Sequence, residues 1–234
     1  MHSGHSKIRN ILIIAAAGYG KRMQLSYPKQ FLDYDGKPLF MQSILVSNAS
    51  NHIDMIIVVT QKENIQLINN IFKQNNITKS YQIIEGGKER QESIYNGIKE
   101  VENIANLDKN PIIFVQDGVR PFFKEKYIKD SLKEINNDDI DGIVIGVPVK
   151  DTIKVIDEDG FIISTPERKT LMGANTPQVF KYEILKNAYE TAKNNNYLST
   201  DDSSLVERIG GKVKIIIGDY DNIKITTPED LKFI

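Results

Sequence analysis

The stretch Ile11-Leu-Ile-Ile-Ala-Ala-Ala-Gly-Tyr-Gly-Lys-Arg-Met23 is the segment around which this 234-residue chain is built. It opens with an apolar run of β-branched and small residues, which is typical of a strand buried on both faces. The run breaks at Gly18 and Gly20, and glycines let several backbone N–H groups converge on a phosphate. Cations follow at Arg22 and Lys29. The pattern predicts a triphosphate-binding loop at the end of a first strand.

This loop matches neither of two stricter phosphate-binding patterns. A G-x-G-x-x-G motif would need a glycine where Met23 stands, and no Gly-Lys pair is followed by Ser or Thr as in a P-loop. An ordinary strand-to-loop turn therefore stays an alternative for this segment taken by itself.

Composition restricts the class of protein. Lys and Arg number 30 against 31 Asp and Glu, a formal net charge of −1, so no basic field predicts binding to nucleic acid. Cysteine is absent, which excludes disulfides and fits a reducing cytoplasm. No apolar run reaches the length of a membrane span, and residues 1–10 lack the apolar core of a signal peptide. We expect a soluble cytoplasmic protein with no nucleic-acid or membrane partner.

Apolar strand-like runs alternate with helical patterns along most of the chain. After the first strand, strands are predicted at 55–59, 81–84, 112–115, 142–147 and 212–217. Helices are predicted at 38–50, 63–74, 93–103, 124–135, 182–194 and 201–209, the last with Thr200 as its N-cap. This alternation predicts an α/β fold with a mostly parallel sheet covered by helices on both faces. No linker or repeat divides the chain, so we predict a single domain over residues 1–234.

The alternation is interrupted at residues 149–168. Residues 149–156 and 161–165 flank Asp157-Glu-Asp-Gly160, which predicts a β-hairpin with a glycine-containing turn. A hairpin inserted into a series of strands and helices usually protrudes, as a lid or as a dimerisation arm. We therefore predict a protruding arm over residues 149–168.

Four groups of polar residues are predicted at the carboxyl ends of strands, where open α/β sheets bind ligands. They are the loop from Gly18 to Lys29, Gly86-Gly-Lys-Glu-Arg90, Asp117-Gly-Val-Arg120, and Asp221 with Lys224. Asp117 directly follows a buried strand, the usual place for a carboxylate that binds Mg²⁺ beside substrate phosphates. Each group alone has a plainer explanation, since Asp-Gly is also a common turn pair. Four such groups at strand ends favour a site for phosphates and a metal ion.

The same residues belong to motifs that occur together in one family. The motifs, in chain order, are Ala16-Ala-Gly-x-Gly-x-Arg-Met23, Pro28-Lys-Gln-Phe-Leu32, Gly86-Gly-x-Glu-Arg-Gln-x-Ser93, Asp117-x-x-Arg-Pro121, Val147-Pro-Val-Lys-Asp-Thr152, Thr176-Pro-Gln178, Thr200-Asp-Asp202 and Asp221-Asn-Ile-Lys-Ile-Thr-Thr-Pro-Glu-Asp-Leu231. Over nearly its whole length the chain resembles the 2-C-methyl-D-erythritol 4-phosphate cytidylyltransferases. One departure is Gln116-Asp-Gly-Val-Arg-Pro121, where the family usually has His-Asp-Ala-Ala-Arg-Pro. The Asp and the Arg are kept, and the departure is expected to alter local nucleotide contacts.

The resemblance implies a Rossmann-like nucleotidyltransferase fold whose hairpin arm joins two subunits into a homodimer. The implied reaction joins CTP to a sugar-alcohol phosphate, 2-C-methyl-D-erythritol 4-phosphate, and yields CDP-methylerythritol and pyrophosphate in the non-mevalonate isoprenoid pathway. The acceptor phosphate is already ionised, so its attack on the α-phosphorus needs no general base. Catalysis then reduces to positioning and to stabilisation of charge on the transferring group.

The chemistry and the resemblance together assign roles to residues. The groups predicted to stabilise the transferring charge are Arg22, Lys29 and Lys224. The predicted ligands of Mg²⁺ are Asp117 and, with it, Asp221. The positions that the resemblance places around cytosine and ribose are Gly87, Lys88 and Ser93. Those that it places on the sugar phosphate are Thr152, Arg168 and Thr176. The remaining predicted substrate-binding residues are Ala16, Ala17, Gly18, Gly20, Asp117 and Arg120.

Three other functions stay open at this point. A ribitol 5-phosphate cytidylyltransferase would share the nucleotide site and differ in the acceptor, but residues 86–93 and 201–207 look closer to the methylerythritol enzyme. A dinucleotide-dependent dehydrogenase would need a third glycine in the first loop and an acidic residue about 20 positions on, at the end of a second strand. A non-catalytic nucleotide-binding regulator would not require both Lys29 and Lys224.

Overall fold

The computed structural model describes residues 7–18, 23 and 27–234. Gly20 and Arg22 lie outside the described residues, so their roles stay predictions. The strands are β1 (Ile8–Ala16), β2 (Asp33–Tyr34), β3 (Lys37–Pro38), β4 (Met55–Thr60), β5 (Ser80–Glu85), β6 (Leu107–Asp117), β7 (Gly142–Pro148), β8 (Val155–Ile156), β9 (Ile162–Ser164), β10 (Met172–Lys181) and β11 (Val213–Ile217). The helices are α1 (Leu39–Ala49), α2 (Ile65–Gln74), α3 (Arg90–Glu100), α4 (Glu125–Ile135), α5 (Tyr182–Asn194) and α6 (Asp202–Arg208). Short 3-10 helices cover Lys29–Phe31, Lys62–Asn64, Val101–Asn103, Arg168–Thr170 and Pro228–Phe233.

The strands assemble into a 7-stranded sheet in the order β11-β7-β10-β6-β1-β4-β5. β1 lies between β4 and β6 and is parallel to both, and the pairs β4 with β5 and β7 with β11 are also parallel. Only β10 runs antiparallel to its neighbours within this sheet. The predicted α/β fold with a mostly parallel sheet is confirmed.

Helices cover both faces of the sheet, and alternate residues of β1 show why its sequence is apolar throughout. Leu12 and Ile14 pack into a core cluster with residues of α1, α2 and α4. Ile11 and Ile13 pack into a second cluster with residues of α3, α5 and α6. All four side chains are fully buried, and burial of each contributes about 1.5–3 kcal/mol. In the described part of the chain, no helix combines the length and apolarity needed to cross a bilayer.

The sequence did not predict the short strands β2 and β3, nor β10, which belongs to the main sheet. The sequence of β10, Met-Gly-Ala-Asn-Thr-Pro-Gln-Val-Phe-Lys, lacks the continuous apolar run of the other central strands. It is nevertheless inserted between β6 and β7, and its pairing with β7 shifts register between Ala174 and Gln178. Such an irregularity accommodates Pro177, which cannot donate to a ladder. The irregular part lies close to the carboxyl end of β6, where it contacts Asp117.

The predicted β-hairpin is confirmed, and one predicted helix cap is wrong. β8 and β9 pair antiparallel, and Gly160 adopts a φ of +86° in the turn between them. The carboxylate of Asp157 accepts the N–H groups of Asp159 and Phe161 and so closes the turn. At the start of α6 the N-cap is Asp201, not Thr200, because the Asp201 carboxylate accepts the Ser204 N–H at 3.1 Å.

Candidate active site

The winding of the sheet reverses at β1. From β1 the chain moves outward to β4 and β5, and α3 then returns it to β6 on the other side of β1. A crevice therefore opens between the carboxyl ends of β1 and β6, which is where open α/β sheets bind their ligands. A cavity of about 900 Å³ lies at this point.

The cavity collects predicted residues from separate parts of the chain. Those that line it are Ala17, Gly18, Lys29, Gly87, Lys88, Ser93, Asp117 and Lys224. A second cavity of about 750 Å³ lies at the opposite end of the strands, beside the starts of β1 and α5, and none of the predicted residues lines it. The structure thus brings four separate sequence segments together at one end of the sheet.

Hydrogen bonds to backbone carbonyls hold the end of β1 in place. The Ala16 carbonyl accepts from the side-chain amide of Gln30 at 2.6 Å and from the hydroxyl of Thr60 at 3.2 Å. The Ala17 carbonyl accepts from the Gln61 amide at 3.1 Å. Because Gln30 is buried, its bond also fixes the neighbouring Lys29 beside the strand end. Gln30 was not predicted as a site residue, although it stands inside the Pro28-Lys-Gln-Phe-Leu32 motif.

The Gly86-Gly87 loop packs directly against the first loop. A Cβ on Gly86 would lie 2.7 Å from the Ala17 Cβ and 2.8 Å from the Ser93 Oγ. The Ser93 hydroxyl accepts the Gly87 N–H at 3.0 Å and donates to the Glu89 carbonyl at 3.0 Å. Ser93 therefore lines the cavity and also fixes the backbone of Gly87 beside it.

Asp117 is buried at the centre of a cluster of charges, some of them partly exposed to the cavity. Its Oδ1 accepts from Arg90 Nε at 3.0 Å, and its Oδ2 lies 2.8 Å from Lys224 Nζ and 3.7 Å from Arg120 Nε. The hydroxyl of Thr176 accepts the Asp117 N–H at 3.1 Å, so Thr176 holds the backbone of Asp117 from outside the cavity. Burial opposes ionisation, but Arg90, Lys224 and Arg120 outweigh it and hold the pKa of the Asp117 carboxyl well below its usual range.

Arg120 and Gln116 are buried behind the residues that line the cavity and are not part of its lining. Arg120 Nη1 donates to the Asn222 carbonyl at 2.7 Å and to Asn175 Oδ1 at 3.0 Å, and burial lowers the pKa of Arg120. The amide of Gln116, fully buried, donates to the Ser43 hydroxyl at 3.2 Å. The departure from the usual histidine therefore changes the packing under the loop. Val119, another position of the same departure, does line the cavity, so the expected change in nucleotide contacts stays a prediction that concerns Val119 rather than Gln116.

Asp221 does not join Asp117 in the cavity. Lys124 Nζ donates to the Asp221 carboxylate at 2.9 Å and to Asp219 at 3.0 Å, and these bonds raise the pKa of Lys124. The Asp221 side chain is 58% exposed and lies outside the cavity lining. Among the described residues, no cluster of three or more His, Cys, Asp or Glu side chains is placed to hold a metal ion. Mg²⁺ is usually held by one or two carboxylates together with substrate phosphates, so a single carboxylate is sufficient in number. Both oxygens of Asp117 already accept from cations, Arg90 on Oδ1 and Lys224 on Oδ2, so an ion held by Asp117 would share the carboxylate with these groups.

Thr152 and Arg168 lie at the base of the hairpin. Arg168 Nη1 donates to the Lys150 carbonyl at 2.8 Å, and the Thr152 side chain is exposed. Neither residue lines the cavity of its own chain. The structure therefore leaves the predicted sugar-phosphate residues of the arm apart from the predicted nucleotide site.

Comparisons with known proteins agree with this geometry. A family model described as 2-C-methyl-D-erythritol 4-phosphate cytidylyltransferase matches residues 10–234. A protein of that name from Fusobacterium nucleatum is 52% identical over 100% of both chains, and one from Clostridioides difficile is 45% identical over 94% of this chain and 90% of the relative. The crystal structure of 4-diphosphocytidyl-2C-methyl-D-erythritol synthase from Anaerococcus prevotii superposes with a TM-score of 0.82 at 29% identity, covering 97% of this chain and 94% of that one. The chain belongs to the 2-C-methyl-D-erythritol 4-phosphate cytidylyltransferase family, the nucleotidyltransferases of the non-mevalonate isoprenoid pathway.

Proposed function

We propose that the chain transfers the cytidylyl group of CTP to the phosphate of 2-C-methyl-D-erythritol 4-phosphate and releases pyrophosphate. The observation that carries this proposal is the single cavity in which Gly18, Lys29 and Lys224 meet the Gly86–Arg90 loop. Its volume of about 900 Å³ is in the usual range for pockets that enclose small ligands. The first loop and the two lysines supply backbone N–H groups and positive charge, which suit a triphosphate. We therefore assign the base and ribose to the Gly86–Arg90 loop.

The chemistry asks the protein mainly for positioning and positive charge. An acceptor phosphate oxygen attacks the α-phosphorus of CTP, a new P–O bond forms, and the bond to the leaving pyrophosphate breaks. The attacking oxygen is already ionised, so no proton has to be removed, and no histidine of the described residues lines the cavity. Lys29 and Lys224 stabilise the charge that develops on the transferring group. Arg22 is proposed to join them.

The proposed cofactor is Mg²⁺, with Asp117 as its protein ligand. When bound, the ion would neutralise charge on the phosphate oxygens. The low pKa of Asp117 keeps its carboxylate ionised, and the ion would share that carboxylate with Arg90 and Lys224. The same carboxylate accepts from Lys224, so it also directs that ammonium group into the cavity.

Asp117→Asn is expected to raise the Mg²⁺ concentration for half-maximal activity by about tenfold, because a neutral amide is a weaker ligand for a hard cation. The measurement is a metal titration at fixed substrate concentrations. Asp221→Asn is titrated alongside, and a comparable shift there would return Asp221 to the metal site. An Asp117→Asn curve that overlays the wild type would remove Asp117 from it.

The proposed assembly is a homodimer joined through the hairpin arm of residues 149–168. Large apolar side chains of the arm are exposed, with Phe161 at 72%, Ile162 at 61% and Ile163 at 65%. Several large apolar side chains exposed together on one protruding hairpin are typical of an interaction site. Thr152 and Arg168 lie outside the cavity of their own chain, which supports a site completed by the arm of the other subunit.

The proposed acceptor and location follow from the same reaction. The comparisons favour methylerythritol phosphate over ribitol 5-phosphate, since the relatives carry the former in their names. Membership of a nucleotidyltransferase family also argues against the dehydrogenase and the non-catalytic regulator.

We place the enzyme in the cytoplasm, because its donor, CTP, belongs to the nucleotide pool of that compartment.

The decisive experiment measures pyrophosphate release from CTP with each candidate polyol phosphate, with and without Mg²⁺. Release with methylerythritol phosphate and Mg²⁺, and little with ribitol 5-phosphate, is expected. Preference for ribitol 5-phosphate would contradict the acceptor, and no release with any acceptor would contradict the enzyme activity. Release that is unaffected by chelation of divalent cations would contradict the cofactor.

Gly86→Ala is expected to raise the KM for CTP by about tenfold, because two loops that line the cavity must separate to admit the new Cβ and so lose their position for binding. A tenfold change corresponds to about 1.4 kcal/mol of binding free energy. The added Cβ would push apart the Ala17 loop and the Ser93 hydroxyl. Steady-state kinetics measure the effect. The matched control is Gly173→Ala, whose Cβ would meet Val147 at an ordinary 3.7 Å. An unchanged KM would contradict this prediction, because it would show that the two loops can move apart without weakening the binding of CTP.

A further inference from the structure

Arg90 joins two carboxylates that come from distant parts of the chain. Its Nε donates to Asp117 Oδ1 at 3.0 Å, while Nη1 and Nη2 donate to the two oxygens of Asp202 at 3.0 and 2.8 Å. Arg90 lines the cavity, whereas Asp202 does not. Arg90 ends one of the four polar groups predicted at strand ends and Asp202 ends a family motif, but the sequence assigned neither of them a role.

Asp202 has surroundings that stability alone does not explain. It is 0% exposed and also accepts the hydroxyl of buried Tyr189. Buried ion pairs are costly to desolvate, and well-packed apolar residues often serve stability as well or better. What a two-pronged carboxylate contact does provide is a fixed plane for the guanidinium.

We propose that Asp202 is a positioning residue of the cytidylyl-transfer site and acts through Arg90. Asp202 fixes the guanidinium plane, so that Arg90 Nε holds Asp117 Oδ1. With Oδ1 occupied, Oδ2 is left for Lys224 Nζ at 2.8 Å. Asp202 thereby sets the position of a cation of the site from outside the cavity. This inference rests on the proposed function.

The charges of the cluster also predict that loss of the Asp202 carboxylate disturbs the position of Lys224. In the cluster, Arg90, Arg120 and Lys224 face Asp117 and Asp202. Without the Asp202 charge, three cations share one carboxylate. Arg90 is then released to turn toward either oxygen of Asp117 and to compete with Lys224. Lys224 loses its defined position, and interactions made mainly in the transition state suffer most.

The first test is Asp202→Asn, which removes the charge and nearly keeps the shape. We expect kcat to fall by about tenfold to hundredfold, the range for residues that orient ligands of a site, with the KM for CTP within about twofold. The matched control is Asp201→Asn, because Asp201 caps the same helix but contacts Gln178, Ser203 and Ser204 and not Arg90. Thermal unfolding of all variants separates lost folding from lost turnover. A kcat equal to that of wild type, or an equal loss in the control, would overturn the proposal.

The second test asks whether Asp202 acts through Arg90. Arg90→Gln is measured alone and with Asp202→Asn, and residues that act as a unit are strongly non-additive. The double variant is expected to be no slower than Arg90→Gln. Arg90→Lys is expected to stay slow, since one ammonium group cannot reproduce the planar fork. Losses that multiply, or full activity in Arg90→Lys, would overturn the proposal.

The double-variant comparison also decides the matter if Asp202→Asn alone does not fold. Arg90→Gln leaves the buried Asp202 charge with only Tyr189, and the second substitution removes that charge, so the double variant is expected to melt higher than Arg90→Gln. A double variant that is far slower than Arg90→Gln would again contradict the inference. Wild-type protein is assayed in parallel. Inactive wild-type protein would contradict the proposed cytidylyltransferase function, whereas active wild-type protein with unaffected variants would contradict only the role of Asp202.

Discussion

Replacing Lys29 by alanine is expected to lower kcat by about 10²–10³-fold while the KM for CTP changes little. Lys29 lines the cavity together with Lys224 and Gly18. Its backbone is fixed because the next residue, Gln30, is buried and donates to the Ala16 carbonyl at 2.6 Å. We expect the positive charge of Lys29 to stabilise the negative charge that develops in the transition state. Removing such an interaction lowers kcat more than it raises KM.

The measurement for Lys29 is steady-state kinetics of pyrophosphate release, together with single-turnover rates at saturating CTP. Lys37→Ala is the matched control, because it removes a cation from the nearby β3 without touching the cavity lining. Normal turnover combined with a raised KM for CTP would make Lys29 a ground-state contact. In that case the charge stabilisation would have to come from other residues.

Co-refolding Lys29→Ala chains with Arg168→Ala chains is expected to restore activity that neither variant has alone. If the arm of each subunit completes the site of the other, a heterodimer concentrates both defects in one site and leaves the second site intact. A two-fold dimer makes the exchange reciprocal, so the heterodimer should reach about half of the wild-type rate. The motive is the position of Arg168, which donates to the Lys150 carbonyl at the hairpin base and lies outside its own cavity.

The reciprocal mixture provides the control for the shared site. Wild-type chains are paired with chains that carry both substitutions, and heterodimers are isolated by differing affinity tags and identified by native mass spectrometry. Sharing between subunits places one defect in each site, so these heterodimers should be nearly inactive. An arm that serves its own chain predicts the opposite outcome in both mixtures, and that pair of results would end the shared-site proposal.

Local sequence pattern was sufficient for most of the fold. The helices predicted at 38–50, 124–135 and 182–194 occur at Leu39–Ala49, Glu125–Ile135 and Tyr182–Asn194. Periodicity succeeds there because neighbouring residues alone determine which face of a helix is apolar. β10 was missed because its sequence carries Gly, Asn and Pro, and its strand state depends on pairing with β6 and β7.

For the candidate site, the motifs predicted which segments meet but not how their side chains pair. Lys29, Gly87, Asp117 and Lys224 were predicted from glycines, cations and strand ends, and they line one cavity. Asp221 had the same signals and pairs instead with Lys124. A carboxylate at a strand end can face a ligand or a neighbouring lysine, and nothing in its adjacent residues distinguishes the two.

The sequence by itself determined the fold class, the family and the reaction that the family carries out, because apolar periodicity and ordered motifs are properties of consecutive residues. Only the tertiary structure decided that β10 enters the sheet antiparallel and that Arg90 connects Asp117, 27 positions away, with Asp202, 112 positions away. The physical reason is that an ion pair depends on distance in space, which the order of strands around β1 sets. Which charged side chains pair is therefore decided by the order of the strands, and the number of residues between two positions does not predict whether they pair.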